Sequence, residues 1–186
     1  QLYDSLKRYG VRKSEVKVAL QFGLDELQKY REDCKREGER ILGEARAKKM
    51  PIIVLAGRPY HVDPEINHGI DRLLDRLGVA VLSEDSLRFG LKIRPHVLNQ
   101  WTYHARLYDC ANLCTQNQDM NLVQLVSFGC GVDAVTSDEV RRILEEKGRL
   151  YTQIKIDEIS NLGAVKIRLR SLLAALEERE DHGSRN

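Results

Sequence analysis

Residues Leu122 to Val132 read LVQLVSFGCGV, an apolar stretch that ends abruptly in small residues around one cysteine. Its first half is too continuously apolar for a strand with one face in water, which predicts a central strand of a parallel sheet covered by helices on both faces. Gly129 and Gly131 leave Cys130 without bulky neighbours, so the backbone can turn sharply and a ligand can approach the sulfur. Two interpretations stay open: a ligand-binding turn, or a tight strand-to-helix turn in which the cysteine is a small buried filler.

Three more short apolar runs predict the other strands of the sheet. They are Pro51–Ala56, Val79–Leu82 and Leu150–Ile156, each followed by a segment of helical periodicity. Four strands that are each followed by a helix, joined by the right-handed crossovers that parallel strands require, predict an α/β fold with a doubly wound, four-stranded parallel sheet. We expect a Rossmann- or flavodoxin-like three-layer sandwich with strand order 2-1-3-4 and the switch point between strands 1 and 3.

The remaining chain flanks this sheet. Residues 1–49 are helical and polar and are predicted to form an N-terminal helical arm or linker, residues 50–180 the α/β domain, and residues 181–186 a disordered tail. We expect Ser14 to cap the long helix of the arm. The chain opens at Gln1 rather than at a methionine, and we expect it to be a piece of a larger protein.

Two capping patterns predict where helices begin. Asp63 suits an N-cap and Pro64 the first helical position of a helix that ends at Gly78. Thr136 and Glu139 have the spacing of a capping box, which predicts that the helix after the third strand begins at Thr136.

Composition and sequence motifs argue against three kinds of partner: nucleic acids, membranes and nucleotides. The 30 basic and 28 acidic residues give a net charge of +2 and share the same helices, so we expect no nucleic-acid partner. No apolar run approaches the roughly 20 residues of a membrane span and no signal peptide opens the chain, so we expect a cytoplasmic protein without a membrane partner. The first turn lacks both common phosphate-binding patterns, GxGxxG and GxxxxGK[ST], so neither route to nucleotide binding is expected.

The turns after the four strands must meet at the carboxyl edge of a parallel sheet, where such folds bind ligands. Besides Cys130, the candidate pocket-lining residues from these turns are Arg58, Tyr60, His61, Asn67, Glu84, Asp85 and Asp157. This density of polar side chains predicts a binding site. The GRPYH turn also has a purely structural interpretation, in which Pro59 presets the turn and Arg58 pairs with a carboxylate.

The other histidines and cysteines favour structural roles. His68 and His104 lie on predicted helices and are interpreted as packing or surface residues. Cys110 and Cys114 are four residues apart on one helix face, a spacing that permits joint metal ligation. A buried stripe has the same spacing, and we favour burial.

Four longer motifs carry a family resemblance. They are VLAGRPYHVDPEINHGID at 54–71, VLNQWTYHAR at 97–106, LVQLVSFGCGVDAVTSDEV at 122–140 and YTQIKIDEISNLGAVKIRLRSLLAAL at 151–176. The chain resembles the C-terminal region of large bacterial proteins related to the activase of 2-hydroxyacyl-CoA dehydratases. In those proteins activase-like ATPase modules are fused to an uncharacterised domain that is similar to the dehydratase subunits.

The resemblance implies an anaerobic system in which an activase hydrolyses ATP to deliver a low-potential electron to an iron–sulfur cluster of the dehydratase. It implies that Cys130, between Gly129 and Gly131, is a metal ligand of a [4Fe-4S] cluster, a role that suits a thiolate at a strand end. The other cluster ligands are not identified in this sequence. The expected partners are activase-like ATPase modules of the same parent chain or a partner subunit, and acyl-CoA; we expect no activity from this chain alone.

Two alternatives come from other functional classes. The first is a non-catalytic docking module that holds a partner subunit or the upstream ATPase modules through the carboxyl edge and the helical arm. The second is a hydrolase that uses Cys130 and His61, for which the sequence offers no identifiable oxyanion site.

Overall fold

Four short strands form one parallel sheet in the computed structural model, which describes residues 1–90, 93–127, 129, 131–156 and 162–183. The strands are β1 (Ile52–Ala56), β2 (Ala80–Ser83), β3 (Met120–Val126) and β4 (Thr152–Lys155). The helices are α1 (Leu2–Leu6), α2 (Lys13–Ala47), α3 (Ile70–Arg76), α4 (Thr102–Gln116), α5 (Gly131–Glu145) and α6 (Gly163–Gly183). Short 3-10 turns follow β1 at Pro59–Val62 and β2 at Glu84–Ser86.

The strand order is β2-β1-β3-β4, and all neighbours are parallel. Val54 lies opposite Leu122, and Leu125 lies opposite Ile154. Every residue of β1 is buried, as a strand with helices on both faces requires. The predicted α/β fold and its strand order are therefore confirmed.

The core consists of two apolar layers, one on each face of the sheet. On one face Val54 and Leu122 contribute to a core shared with α2, α4 and α5. On the other face Ile53 and Val123 contribute to a core shared with α3 and α6. Successive strand residues alternate between the two faces, which is why a continuous apolar run fills both layers.

The 35-residue helix α2 has two unlike halves. Its second half packs on the sheet domain: Ala45 is 1% exposed, and Gly38 lies so close to the carbonyl of Ser86 that a β-carbon there would collide with it. Its first half leaves large apolar side chains in solvent, with Phe22 67% exposed. The helix begins two residues earlier than a Ser14 cap requires, because its N-cap is Arg12, whose main-chain N–H donates to Glu15.

Two further predicted helix starts are wrong. The helix expected at Asp63 begins at Ile70, because His68 and Gly69 adopt left-handed backbone angles (φ 55° and 76°) that a right-handed helix cannot contain. The carboxylate of Asp63 instead accepts the N–H of Glu65 in a local turn.

The helix after β3 begins at Gly131, so Thr136 and Glu139 lie in its interior and do not form a capping box. The hydroxyl of Thr136 donates to the carbonyl of Val132 one turn back. The carboxylate of Glu139 accepts from Arg142 and from the main-chain N–H of His96. The pattern that resembled a cap therefore serves contacts within α5 and one tertiary bond, from the N–H of His96 to Glu139.

The last described residue, Gly183, is also the last residue of α6. Residues 181–183 of the predicted tail are helical, and residues 184–186 lie outside the described residues. The arm boundary predicted at residue 49 falls in the link between α2 and β1. Within the described ranges, none of the helices combines the length and apolar composition that a bilayer crossing demands.

Candidate ligand-binding cleft at the carboxyl edge

A cleft of about 440 Å³ opens where the turn after β1 meets the first turns of α4 and α5. Its lining consists of Arg58, Pro59, Tyr60, Trp101, Tyr103, His104 and Val132. The chain leaves β1 at this edge and enters α4 and α5 from it, so all three segments converge here. The volume lies within the range of small-molecule sites, and three aromatic side chains give it flat apolar walls.

An ion pair between Arg58 and Asp133 lies beside this lining. Nη2 and Nε of Arg58 donate to Oδ1 of Asp133 at 2.7 and 3.2 Å. The two side chains are only 21% and 13% exposed, so the pair is largely removed from water. Oδ2 of Asp133 is buried and makes no hydrogen bond within the described residues, which leaves one carboxylate oxygen for an additional donor.

His104 extends this group of polar side chains. Its Nε2 lies 3.6 Å from Oδ1 of Asp133, and Trp101 packs against the imidazole edge-on, with 5.8 Å between the ring centroids. Both ring nitrogens are buried, and in the described part of the chain neither makes a hydrogen bond. His104, interpreted from the sequence as a packing or surface residue, thus contributes unsatisfied polar atoms to the cleft.

His61 lies behind the lining and is 3% exposed. Its Nδ1 accepts the main-chain N–H of Arg58 at 3.0 Å, which places the proton of the neutral ring on Nε2. Nε2 lies 3.4 Å from Oγ of Ser127, and that hydroxyl is 2.7 Å from the hydroxyl of Tyr60. Burial lowers the pKa of His61 to about 4, and the Coulomb effect of Asp133 only partly opposes it.

The contacts of His61 can be compared with what the hydrolase alternative requires, in which His61 is the base for Cys130. A catalytic base needs a nitrogen directed at its nucleophile. Nδ1 of His61 is engaged by main chain and Nε2 faces Ser127, while Cys130 lies outside the described residues.

Glu84 joins the turn after β2 to the turn after β1. Its side chain is buried, and its carboxylate accepts from the N–H groups of its own residue and of Gly57. Burial raises its pKa to about 7 despite these bonds and despite Arg106, whose Nη2 lies 3.7 Å away. Arg106 also pairs with Asp85, so the guanidinium bridges the two acids of this turn.

The predicted site residues occupy different depths of this edge. Arg58 and Tyr60 line the cleft, and His61 lies beneath them. Asn67 is buried away from the lining, where its Oδ1 accepts the N–H of Gly69 within the turn before α3.

The glycine turn around Cys130 is described only in part. Gly129 lies in a turn and Gly131 is the first residue of α5, both with open space where a β-carbon would be. Cys130 and Asp157 lie outside the described residues. Their predicted roles therefore stay predictions.

Sequence reasoning missed most of the cleft's polar and aromatic groups. Asp133, Ser127, Trp101 and His104 were not proposed as site residues. The sequence did contain a signal for Trp101 and His104, because a helix that leads into a parallel strand begins at the carboxyl edge of the sheet. The α4 helix leads into β3 and so brings its first turn to the site.

The described residues hold no group of three or more histidine, cysteine, aspartate or glutamate side chains arranged to bind a metal ion. Cys110 and Cys114 are completely buried in α4, which confirms their predicted burial. A hydrogen bond to Cys114 and desolvation raise the pKa of Cys110 well above its usual range, which disfavours the thiolate that metal binding needs.

Comparison with known proteins adds a family. Residues 1–87 match the family model described as CoA enzyme activase uncharacterised domain (DUF2229), and these residues include the first of the four motifs. No curated protein and no solved structure matches the chain. The chain therefore contains a CoA enzyme activase-related domain, as its sequence motifs predicted.

Proposed function

We propose that this domain serves a 2-hydroxyacyl-CoA dehydratase/activase-related iron–sulfur system, where it supports ATP-driven low-potential electron transfer or acyl-CoA dehydration. The observation that carries the proposal is the cleft with its adjoining polar group, where Oδ2 of Asp133 and both nitrogens of His104 are buried without a hydrogen bond among the described residues. Proteins normally satisfy buried polar groups, so these atoms indicate a bound molecule that completes their hydrogen bonds.

The cleft is assigned to part of an acyl-CoA. Tyr60, Trp101 and Tyr103 provide flat apolar contact for an acyl group or a ring. We assign to Oδ2 of Asp133 the role of accepting from a hydroxyl or amide of the ligand, which its lack of a hydrogen bond among the described residues supports, while Arg58 holds the carboxylate through Oδ1. His104 is proposed to donate or accept beside it.

The iron–sulfur part of the proposal depends on Cys130. The described residues do not assemble a cluster ligand set, so they do not by themselves fit a [4Fe-4S] cluster. Cys130 is proposed as one ligand at the end of β3. The other ligands are proposed to come from outside the described residues, including the activase-like ATPase modules or a partner subunit.

The cleft assignment is tested through the fluorescence of Trp101, the single tryptophan of the chain. Titration with an acyl-CoA is expected to change the emission, and Asp133→Asn or His104→Ala is expected to weaken binding by about tenfold, the cost of one lost hydrogen bond to a charged or buried group. Asp138→Asn, an exposed carboxylate of the same helix α5, is the matched control and should bind as the wild type does. An unchanged wild-type spectrum at saturating acyl-CoA contradicts the assignment.

Cys130 is tested separately. Iron and acid-labile sulfide are measured after anaerobic reconstitution of the wild-type protein, of Cys130→Ser and of Cys34→Ser, in which the substituted cysteine lies on α2. The proposal expects the cluster to be lost only in Cys130→Ser. An iron content in Cys130→Ser equal to that of the wild type would remove Cys130 from the ligand set.

A second candidate function, a docking module, is favoured by the first half of α2. Five apolar side chains on this half are exposed, at 70%, 49%, 67%, 51% and 43% for Val18, Leu20, Phe22, Leu24 and Leu27. Apolar side chains that encircle a helix favour burial on several sides. Under this function Phe22→Ser should weaken binding of the activase-like ATPase modules, Gln28→Ser should not, and neither should alter iron content.

A further inference from the structure

The strand β4 is an open edge of the sheet. It pairs with β3 on one side, and within the described ranges no strand pairs with its other side. The opposite edge of the sheet is β2, where α2 packs beside the strand and its Gly38 contacts the turn that follows. An edge strand with unpaired main chain is a template for another extended chain.

The direction of the hydrogen bonds shows which residue presents its main chain outward. The N–H of Ile156 donates to the carbonyl of Val126 at 2.9 Å, so Ile156 directs its main chain toward β3. Main-chain groups alternate in direction along a strand, so Ile154 also faces β3 and Gln153 faces away. The N–H and C=O of Gln153 therefore point to the outer edge.

A groove of about 260 Å³ runs along this edge between α5 and α6. We call it the β4 edge groove; its lining consists of Arg141, Glu145, Tyr151, Gln153, Lys155 and Arg168. Three of these side chains are cationic and one is acidic. Arg141 lies over the ring of Tyr151, 5.1 Å from its centroid, and is 3.6 Å from the exposed Asp138 outside the lining.

We propose that the β4 edge groove binds an extended acidic segment of a partner protein, which adds to the sheet as a strand beside β4. The main chain of Gln153 supplies backbone hydrogen bonds, as in other complexes in which a peptide extends a sheet. The cations of α5 and α6 lie on either side of the added strand, where they pair with its acidic side chains.

The charge of the groove selects this occupant over a second copy of the chain. Two copies joined through β4 would place Arg141, Lys155 and Arg168 of each near the same cations of the other. Like charges that face each other across paired strands are destabilising, and basic residues on an edge protect it against self-association. An acidic strand neutralises the groove instead. This inference does not depend on the function proposed for the cleft.

The test measures fluorescence anisotropy with a labelled octapeptide of alternating glutamate and valine. Two control peptides separate the contribution of charge from that of the main-chain hydrogen bonds. One replaces each glutamate by lysine, and the other keeps the sequence but carries N-methyl groups on alternate amides. We expect binding of the first peptide, at least about tenfold weaker binding of both controls, and weaker binding in higher salt because the charges are exposed.

Protein variants locate the binding site. Gln153→Pro removes the outward N–H, whereas Gln153→Ala retains it and loses only the side chain, so the first is expected to lose binding and the second to keep it. Arg141→Glu and Arg168→Glu should each weaken binding, while Arg170→Glu, an exposed arginine of α6 outside the groove lining, should not.

Several outcomes would overturn the proposal. Absence of binding by the acidic peptide is one, and equal binding of its N-methylated form is another. A concentration-dependent dimer of the wild-type protein that Gln153→Pro converts to a monomer would assign the edge to a second copy. If Gln153→Pro fails to fold, as judged by circular dichroism, the N-methylated peptide decides the role of the main chain.

Discussion

The imidazole of His61 occupies the space that a side chain on Gly57 would need. A β-carbon built on Gly57 collides with Nδ1 of His61 and lies 3.1 Å from the carbonyl oxygen of Leu125. The ring can therefore lie against the main chain and accept the N–H of Arg58 only because residue 57 has no side chain. The glycine that follows β1 is thus a packing requirement of the candidate site.

Gly57→Ala is expected to destabilise the protein by about 1–3 kcal/mol, the usual cost of forcing an extra group into a packed site. Urea unfolding measures the loss. The double variant with His61→Ala provides the control, because removal of the ring relieves the collision and the two losses should then fail to add. Additive losses would show that contact between these two residues is not the cause.

The stability of the protein should fall with His61 protonation as the pH is lowered. The folded pKa is about 4 and the ordinary value is 6.5, so between these values the unfolded chain binds more protons than the folded one. The contribution is complete above about pH 6.5 and is lost progressively toward pH 4, for a total on the order of 2–3 kcal/mol. The free energy of unfolding, measured in urea at about pH 7.5 and at about pH 4.5, should change less between these pH values for His61→Gln than for the wild type. His68→Gln, at an exposed turn position, should leave it unchanged.

Glu84 should make the stability of the protein depend on pH in the opposite direction, with a loss as the pH rises. Its folded pKa is about 7 and its ordinary value is 4.5, so the folded protein keeps a proton that the unfolded chain has released. This contribution is complete below about pH 4.5 and is lost as the pH rises toward 7, again on the order of 2–3 kcal/mol. Relative to the wild type, Glu84→Gln is expected to be more stable at about pH 8 than at about pH 5. A pH-independent difference would contradict the raised pKa, and Glu145→Gln on the surface of α5 serves as the control.

Two glycines of α2 should respond in opposite ways to alanine. A β-carbon on Gly38 would collide with the carbonyl of Ser86, so Gly38→Ala should separate the helix from this turn and cost about 1–3 kcal/mol. Gly43 has open space at the same position, so Gly43→Ala should stabilise the helix by up to about 1 kcal/mol through helix propensity alone. Thermal and urea unfolding of both variants, compared with the wild type, measure these opposite changes in stability. Similar stabilisation by both substitutions would mean that the packing at Gly38 is looser than described.

Much of the fold follows from local pattern because each strand is a short apolar run in a parallel sheet. Val54 and Leu122 belong to runs without a polar face, and helical crossovers then allow few topologies. Helix starts were less predictable. Thr136 and Glu139 have cap spacing, but Thr136 bonds to Val132 one turn back in its own helix, and Glu139 accepts from His96, a contact between residues distant in sequence.

The candidate site could be predicted only as far as strand ends determine it. Arg58 and Tyr60 lie in the turn after β1, and their position follows from the topology. Asp133 and His104 come from different helices, and the 3.6 Å between them depends on how α4 packs against α5. Such side-chain geometry depends on tertiary packing, which sequence periodicity does not specify.

The length of α2 lets one helix join two distant parts of the molecule. At about 1.5 Å per residue the helix is about 52 Å long, with large apolar side chains exposed on its first half and Gly38 packed on the turn of Ser86 in its second half. The hydroxyl of Ser86 donates to the carbonyl of Ser83, and the same turn contains Glu84, whose carboxylate accepts the N–H of Gly57. Gly57 directly precedes the cleft residue Arg58. A partner bound to the exposed half of α2 would therefore be connected to the cleft by one continuous series of contacts.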